Sequence, residues 1–177
     1  MLEILRVAKI IKAPFENVAE NLPLIIHALQ EQGIDSPLMR VCAIATVAVE
    51  VPRFAPIAEL GGPEYCVRFD GRNSLGNIIP GDGFKFRRRG YAPLLGRSMY
   101  TEYGEALKLD LVSYPGLALE PESAARLLAF HFKKKNVQIP VGAHCWSRAR
   151  LLIHGDLIDY QEFRKYIGAL MHEDHRK

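Results

Sequence analysis

Two glutamates, Glu50 and Glu59, are the side chains of this sequence whose type and spacing best fit acid–base chemistry. They stand nine positions apart, separated by Val51-Pro-Arg-Phe-Ala-Pro-Ile-Ala58. Hydrolysis of a glycosidic bond needs a carboxylic acid that protonates the leaving oxygen and a carboxylate that activates water or attacks the sugar. Two glutamates on opposite sides of a cleft would supply both groups. The same spacing also fits a capping residue and a solvated one, so the pair alone leaves both interpretations open.

The segment before Glu50 is predicted to be a buried helix. Ser36-Pro37 has the pattern of an N-cap followed by proline in the first turn, and Pro52 stops the helix shortly after Glu50. The residues between are apolar nearly all round, which is typical of a helix at the centre of a core. Glu50 is therefore expected in surroundings that keep a carboxylic acid protonated. Glu59 lies in a looser segment, where we expect it to stay ionised as a base.

The rest of the chain predicts a mainly α fold. Asn21 is the expected cap of a helix that ends at Gly33, because glycine commonly takes the left-handed conformation after a helix. Further helical patterns cover residues 98–109, 121–135, 146–153 and 160–171. Residues 61–96 are rich in Gly and Pro, and we expect long loops and a small β-hairpin there.

Composition and charge limit the classes of function. The 177 residues, 49% of them hydrophobic, are enough for one domain with a substantial core, so we expect a single domain over residues 1–177. The chain has 23 Lys and Arg against 20 Asp and Glu, a net charge of only +3. That balance lacks the dense basic surface that nucleic-acid binding usually needs, so no nucleic-acid partner is expected.

Cysteine usage and the N-terminus bear on the compartment. Cys42, Cys66 and Cys145 are dispersed, without Cys or His partners at ligand spacing, so they predict neither a disulfide framework nor a metal site. We expect no cofactor. The first twelve residues mix apolar and charged side chains and lack the apolar run of a signal peptide or membrane span. These features predict synthesis in the cytoplasm and no membrane partner.

Three segments carry a further pattern. They are Ile44-Ala-Thr-Val-Ala-Val-Glu50 followed by Phe54, then Leu75-Gly-Asn-Ile-Ile-Pro-Gly-Asp-Gly-Phe-Lys-Phe-Arg87, and then Arg89-Gly-Tyr-Ala-Pro-Leu-Leu-Gly-Arg-Ser-Met-Tyr100. In this order they resemble glycoside hydrolase family 19, especially its short bacterial and phage-endolysin members, over residues 22–171. The first segment resembles the family's helix that ends in His-Glu. The second resembles the family's loop before its Arg-Gly-Arg-Gly turn, and the third resembles that turn.

The resemblance implies a lysozyme-like helical domain and an activity. Family 19 enzymes are inverting hydrolases of β-1,4-linked N-acetylglucosamine polymers, here chitin or peptidoglycan, with Glu50 as general acid and Glu59 as general base. A polysaccharide substrate, a monomeric protein and action on a cell wall after release are the corresponding expectations. The substrate-binding positions are expected to be Phe54, Arg88, Met99 and His154. Tyr65 and Tyr91 lie in the loop-rich middle of the chain and are the aromatic candidates for stacking on sugar rings, with ordinary loop packing as the alternative.

Several positions depart from the family pattern. Val49 replaces a histidine, Pro93 a glutamine, Leu95 a hydroxyl residue and Met99 an asparagine, and Arg88 replaces a glycine. These changes remove polar groups from a site built on polar recognition, and each lost buried hydrogen bond can cost about 1 to 3 kcal/mol. Two explanations stay open. Either the cleft is adapted to another glycan, or the domain is a catalytically inactive module that binds a glycan or a protein partner.

Other charged residues are expected to have structural roles. The resemblance implies that Arg87 and Arg89, which flank Arg88, pack against acidic side chains around the cleft, while Arg88 is the better candidate for a ligand contact. His131 lacks partners at metal spacing and is expected to be a structural histidine. The tail from His172 is expected to be solvated.

Overall fold

The computed structural model describes residues 2–91 and 94–172. The expectations for Pro93 and for the last five residues of the tail lie outside these described residues. The structure is mainly helical with one two-stranded antiparallel sheet, as the sequence predicts. Residues 59–88 separate the two strands in the sequence.

The elements follow one another in a simple order. The helices are α1 (Leu2–Ile11), α2 (Phe15–Glu31), α3 (Pro37–Glu50), α4 (Pro63–Cys66), α5 (Asp82–Lys85), α6 (Arg97–Leu107), α7 (Pro121–Lys134), α8 (Gln138–Gly142), α9 (Trp146–His154) and α10 (Tyr160–His172). The strands are β1 (Ile57–Ala58) and β2 (Arg89–Gly90), paired as Ile57 with Gly90 and Ala58 with Arg89. Short 3-10 turns occupy Val67–Phe69, Asn73–Leu75 and Pro115–Leu119.

Helix α3 begins where its cap residues predict. The Oγ of Ser36 accepts a hydrogen bond from the backbone N–H of Met39 at 3.1 Å, and Pro37 is the first helical residue. The unbroken stretch from Cys42 to Ala48 is buried, and α3 packs against α2, α8 and α10. This burial confirms the prediction of a central helix and leaves Glu50 as its last residue.

The predicted start of α2 was wrong. The helix begins at Phe15, so Asn21 lies in its middle, where its Nδ2 donates to the backbone carbonyl of Asn17 at 2.7 Å. Asn21 is therefore a buried residue within the helix and does not cap it. The hydroxyl of Tyr91 donates to its Oδ1 at 2.6 Å. The predicted end is correct, since Gly33 has a φ of +65° just beyond the helix.

Two groups of buried apolar residues flank the elements that carry the candidate site. The larger one includes residues of α1, α2, α3, α7, α9 and α10. The smaller one lies around α6 and the adjoining face of α7, and it contains Phe86, Leu94, Tyr100, Tyr103, Leu107, Leu111, Ala118 and Leu127. Glu50 and His154 come from elements of the larger group, whereas Arg88 lies between Phe86 and Leu94 of the smaller group.

Candidate active site

Glu50 and Glu59 both line one open cleft of about 480 Å³. Each carboxylate side chain is 18% exposed, so both are reachable from solvent but largely enclosed. The structure thus brings together the two residues that the sequence singles out. The other lining residues are Val51, Ile57, Ala58, Leu60, Arg68, Phe69, Arg88, Arg89, Gly90, Tyr91 and Leu95.

Glu50 is held by a buried arginine. The Nη1 of Arg150 donates to the Oε1 of Glu50 at 2.7 Å, and only 1% of the Arg150 side chain is exposed. Glu50 ends α3, where the helix carbonyl groups carry partial negative charge, so a carboxylate there needs a cation nearby. The expected apolar setting of Glu50 is therefore incomplete, because a guanidinium stands beside its carboxyl group.

Arg150 is itself fixed by α9 and α10. Its Nη2 donates to the backbone carbonyl of Ile158 at 3.3 Å, and its guanidinium carbon lies 5.9 Å from the ring centre of Phe163. Its Nε is buried without a hydrogen-bond partner. Sequence reasoning missed this residue. The available signal was its spacing from Trp146 and Ile153, which places an arginine on the apolar stripe of α9 and thus requires a buried partner.

The small sheet positions Glu59. Its backbone N–H donates to the carbonyl of Arg88 at 2.8 Å, and the backbone N–H of Arg88 reaches the Oε2 of Glu59 at 3.4 Å. The Nη2 of Arg68 lies 3.8 Å from the other carboxylate oxygen. Arg68 and Arg88 therefore fix the position of Glu59 in the cleft, and both place N–H groups beside its carboxylate oxygens.

His154 links this strand pair to the end of α3. Its Nε2 lies 3.3 Å from the Nη1 of Arg88 and 3.6 Å from the Oε1 of Glu50, and its Nδ1 lies 3.1 Å from the Oδ1 of Asp156. Because arginine can only donate, the contact with Arg88 assigns the proton of His154 to Nδ1, which donates to Asp156. The backbone N–H of Ile158, with smaller contributions from His154 and Arg150, holds the pKa of Asp156 below its usual range.

Phe54 does not lie in the cleft, which corrects the expectation that it contacts substrate. Its side chain is fully buried in the larger apolar group, and its backbone has a φ of +55°. Its N–H donates to the carbonyl of Val51 at 2.7 Å. The chain turns sharply after α3, and this turn places the aromatic ring in the core.

Tyr91 adjoins the cleft but is only 1% exposed, which corrects its expected role as a stacking platform for sugar rings. Its hydroxyl donates to Asn21, and burial raises the pKa of Tyr91 far above its usual value. The ring packs with the larger apolar group. Tyr91 therefore joins α2 to the end of β2 and has little surface to offer a ligand.

Tyr65 and Met99 lie outside the lining of the cleft. Tyr65 is 42% exposed, and the guanidinium of Arg68 stacks 3.8 Å from its ring centre while donating to its hydroxyl. Met99 lines a second cleft of about 320 Å³, which shares Arg88 and Leu95 with the first one. His154 also lines this second cleft.

Arg87 and Arg89 have structural roles, but their hydrogen bonds go to backbone and hydroxyl oxygens and not to carboxylates as expected. Arg87 donates to the carbonyl of Phe84 at 2.8 Å. Arg89 is buried and donates to the carbonyl of Lys85 at 2.8 Å and to the hydroxyl of Tyr100 at 2.9 Å. These contacts leave Arg88 as the member of the run that reaches across to α9.

His131 is a structural histidine, as expected. It is buried, with the hydroxyl of Tyr103 2.7 Å from its Nδ1 and the carbonyl of Ile153 2.9 Å from its Nε2. The carbonyl can only accept, so the ring proton lies on Nε2 and the tyrosine hydroxyl donates to Nδ1. Burial lowers the pKa of His131 to about 4.

No family model matches the chain, and no curated protein was found to match it. Within residues 2–91 and 94–172, no group of three or more His, Cys, Asp or Glu side chains is arranged to hold a metal ion. The same described residues contain no helix with the length and apolar character needed to cross a membrane. The functional argument therefore depends on the site and on the resemblance of the three sequence segments.

Proposed function

We propose that this chain is an inverting glycoside hydrolase that acts on polymers of β-1,4-linked N-acetylglucosamine, chitin or peptidoglycan, as its resemblance to family 19 implies. The observation that supports the proposal is the shared cleft, in which Glu50 at the end of α3 and Glu59 directly after β1 are both reachable. This reaction needs one carboxyl group as acid and a second as base in the same cleft.

The proposed mechanism gives each glutamate one task. Glu50 protonates the glycosidic oxygen as the bond to the leaving sugar breaks, and Glu59 takes a proton from the water that attacks the opposite face of the anomeric carbon. The Arg88 N–H and the Arg68 guanidinium stabilise Glu59 as a carboxylate, which is the form a base needs. Arg150 is a positioning residue, since it orients the Glu50 carboxyl group.

Two observations favour the alternative of an inactive module that binds a glycan or a protein partner. The acid role requires Glu50 to carry a proton, whereas a guanidinium donating at 2.7 Å stabilises a carboxylate over a carboxylic acid. Leu95 in the cleft wall also offers no hydroxyl group to hold water. In this alternative the same cleft binds a saccharide without cleaving it.

Turnover measurements separate the two functions. The wild-type protein is incubated with soluble chitin oligomers and with purified cell wall, beside Glu50→Gln, Glu59→Gln and the control Glu105→Gln, whose side chain is exposed on α6. We expect each cleft substitution to lower kcat by at least about 10²-fold, as loss of general acid or base does, and the control to keep full activity.

The stereochemistry and the folding of the variants complete the test. An inverting enzyme releases the α-anomer first, which proton NMR of early product detects. Circular dichroism and thermal unfolding are measured on both glutamine variants to check that they are folded. Absence of turnover by the wild type on both substrates, or full activity of either folded cleft variant, contradicts the proposed hydrolase.

A further inference from the structure

The second cleft differs chemically from the first. It has a volume of about 320 Å³ and no aspartate or glutamate in its lining, whereas the first cleft contains Glu50 and Glu59. Its cationic side chains are Arg88 and Lys135, with His154 beside them. The remaining lining is largely apolar and includes Leu75, Leu95, Met99, Leu151, Leu152 and Ile153. This composition suits an anionic group that carries a small apolar part.

Arg88 stands between the two clefts. It lines both of them together with Leu95, so these two residues form the boundary that the clefts share. The backbone N–H of Arg88 faces Glu59, while its guanidinium reaches toward His154. The same residue therefore connects the proposed catalytic pair with the cationic cleft.

In the described part of the chain, no carboxylate contacts the guanidinium of Arg88 directly. Among the residues that the structure describes, its guanidinium forms no ion pair, and its hydrogen-bond partner is the neutral acceptor nitrogen of His154. A guanidinium has five N–H donors, so several stay available in a partly buried position. Lys135 likewise forms no ion pair within the described residues, although its neighbour Lys134 pairs with Glu102.

We propose that the second cleft binds a carboxylate-bearing substituent of the glycan, with Arg88 as the residue that recognises the carboxylate and Lys135 as a supporting charge. The inference deepens the proposed function and rests on it for the position of the scissile bond beside Glu50 and Glu59. It selects a glycan with free carboxylates, such as peptidoglycan strands whose N-acetylmuramic acid carries no peptide, over neutral chitin and over strands whose carboxyl groups are held as amides. A planar guanidinium can meet a carboxylate through two parallel hydrogen bonds, which an amide of the same shape cannot accept equally well.

The first measurement compares three soluble probes. They are a tetrasaccharide of alternating N-acetylglucosamine and N-acetylmuramic acid with free carboxylates, the same tetrasaccharide with its carboxylates converted to amides, and chitotetraose. Affinities are measured by calorimetry on the Glu59→Gln protein, in which the proposed chemistry cannot consume the probes. We expect the free acid to bind about tenfold more tightly than its amide, as for one charge-assisted contact.

The variants test which residue makes the distinction. Arg88→Gln in the same background should bind the acid and its amide equally, and Lys135→Gln should reduce the preference. The matched control is Lys133→Gln, an exposed lysine outside the second cleft, which should keep the preference. The preference should also weaken as salt is raised, a measurement that stays valid if Arg88→Gln fails to fold.

The outcomes for the inference and for the hydrolase are separate. Equal affinity for acid and amide, no binding of any probe, or a preference that survives in Arg88→Gln overturns the inference, even if wild-type protein cleaves chitotetraose. A preference that depends on Arg88, in a protein that cleaves nothing, supports the inference and contradicts the hydrolase.

Discussion

Arg150 donates to Glu50 across 100 positions of sequence, and this 2.7 Å contact joins the end of α3 to the buried side of α9. The guanidinium is almost inaccessible, while the carboxylate lines the cleft. A structural charge and a candidate catalytic group therefore form one pair. Because the pair is partly buried, removing either partner leaves the other charge without compensation.

Arg150→Met is expected to lower the free energy of unfolding by about 3 kcal/mol, since it removes the cation from a largely buried carboxylate. Urea unfolding measures the loss. The control is Arg40→Met, whose ion pair with Asp35 involves an arginine side chain that is 39% exposed, so we expect a loss below about 1 kcal/mol. Equal losses in the two variants would contradict the argument that Arg150→Met leaves the Glu50 carboxylate largely buried without a compensating charge.

His131 is expected to make the protein less stable as the pH falls from about 6.5 toward 4. Its pKa is about 4 in the folded chain, below the ordinary value of 6.5, so the unfolded chain binds the proton more readily in this range. The free energy of unfolding keeps its full value above about pH 6.5 and is lower by about 2 to 3 kcal/mol near pH 4.5. Unfolding free energies from pH 7.5 to 4.5 measure the change.

A pair of histidine variants isolates this contribution. The stability curve of His131→Gln should be flatter between pH 6.5 and 4.5 than that of the wild type, although its stability at neutral pH is lower. His27→Gln, which removes an exposed histidine on α2, should keep the wild-type slope. An unchanged slope in His131→Gln would show that another group is responsible.

Gly90→Ala is expected to be more destabilising than Gly33→Ala. Both glycines have positive φ, +81° and +65°, which costs an alanine about 1 kcal/mol. A Cβ at Gly90 would also lie 2.8 Å from the carbonyl oxygen of Ala118, whereas nothing lies within 4 Å at Gly33. Thermal unfolding should therefore show a larger decrease for Gly90→Ala, and equal decreases would mean that β2 moves away without cost.

Tyr91→Phe is expected to lose about 1 to 2 kcal/mol of stability, because it leaves the buried Oδ1 of Asn21 without its donor. Glycan affinity should stay unchanged, since the ring is buried. Tyr65→Phe provides the comparison, because Tyr65 is exposed and its removal should affect stability much less. A loss of affinity without a loss of stability in Tyr91→Phe would restore the sugar-stacking role to this residue.

Local signals predicted the helices well where a cap and an apolar period agree. Ser36 and Pro37 mark the start of α3, and α7, α9 and α10 lie within two residues of their predicted bounds. The predicted start of α2 was wrong, because the sequence does not distinguish an N-cap asparagine from a buried asparagine whose tyrosine partner is distant along the chain. The strand pair was predicted only as a hairpin, since nothing local shows that residues 57–58 meet residues 89–90.

The sequence by itself determined the helical class, the central position of α3 and the choice of Glu50 and Glu59, because periodicity, caps and carboxylate spacing are local properties. Only the tertiary structure decided that Phe54 and Tyr91 are buried and that Arg150 holds Glu50. It also decided that Arg88 lines two clefts, of which only the first contains carboxylates. Burial and ion pairing depend on which distant elements meet, and the free energy of that packing is a property of the whole fold.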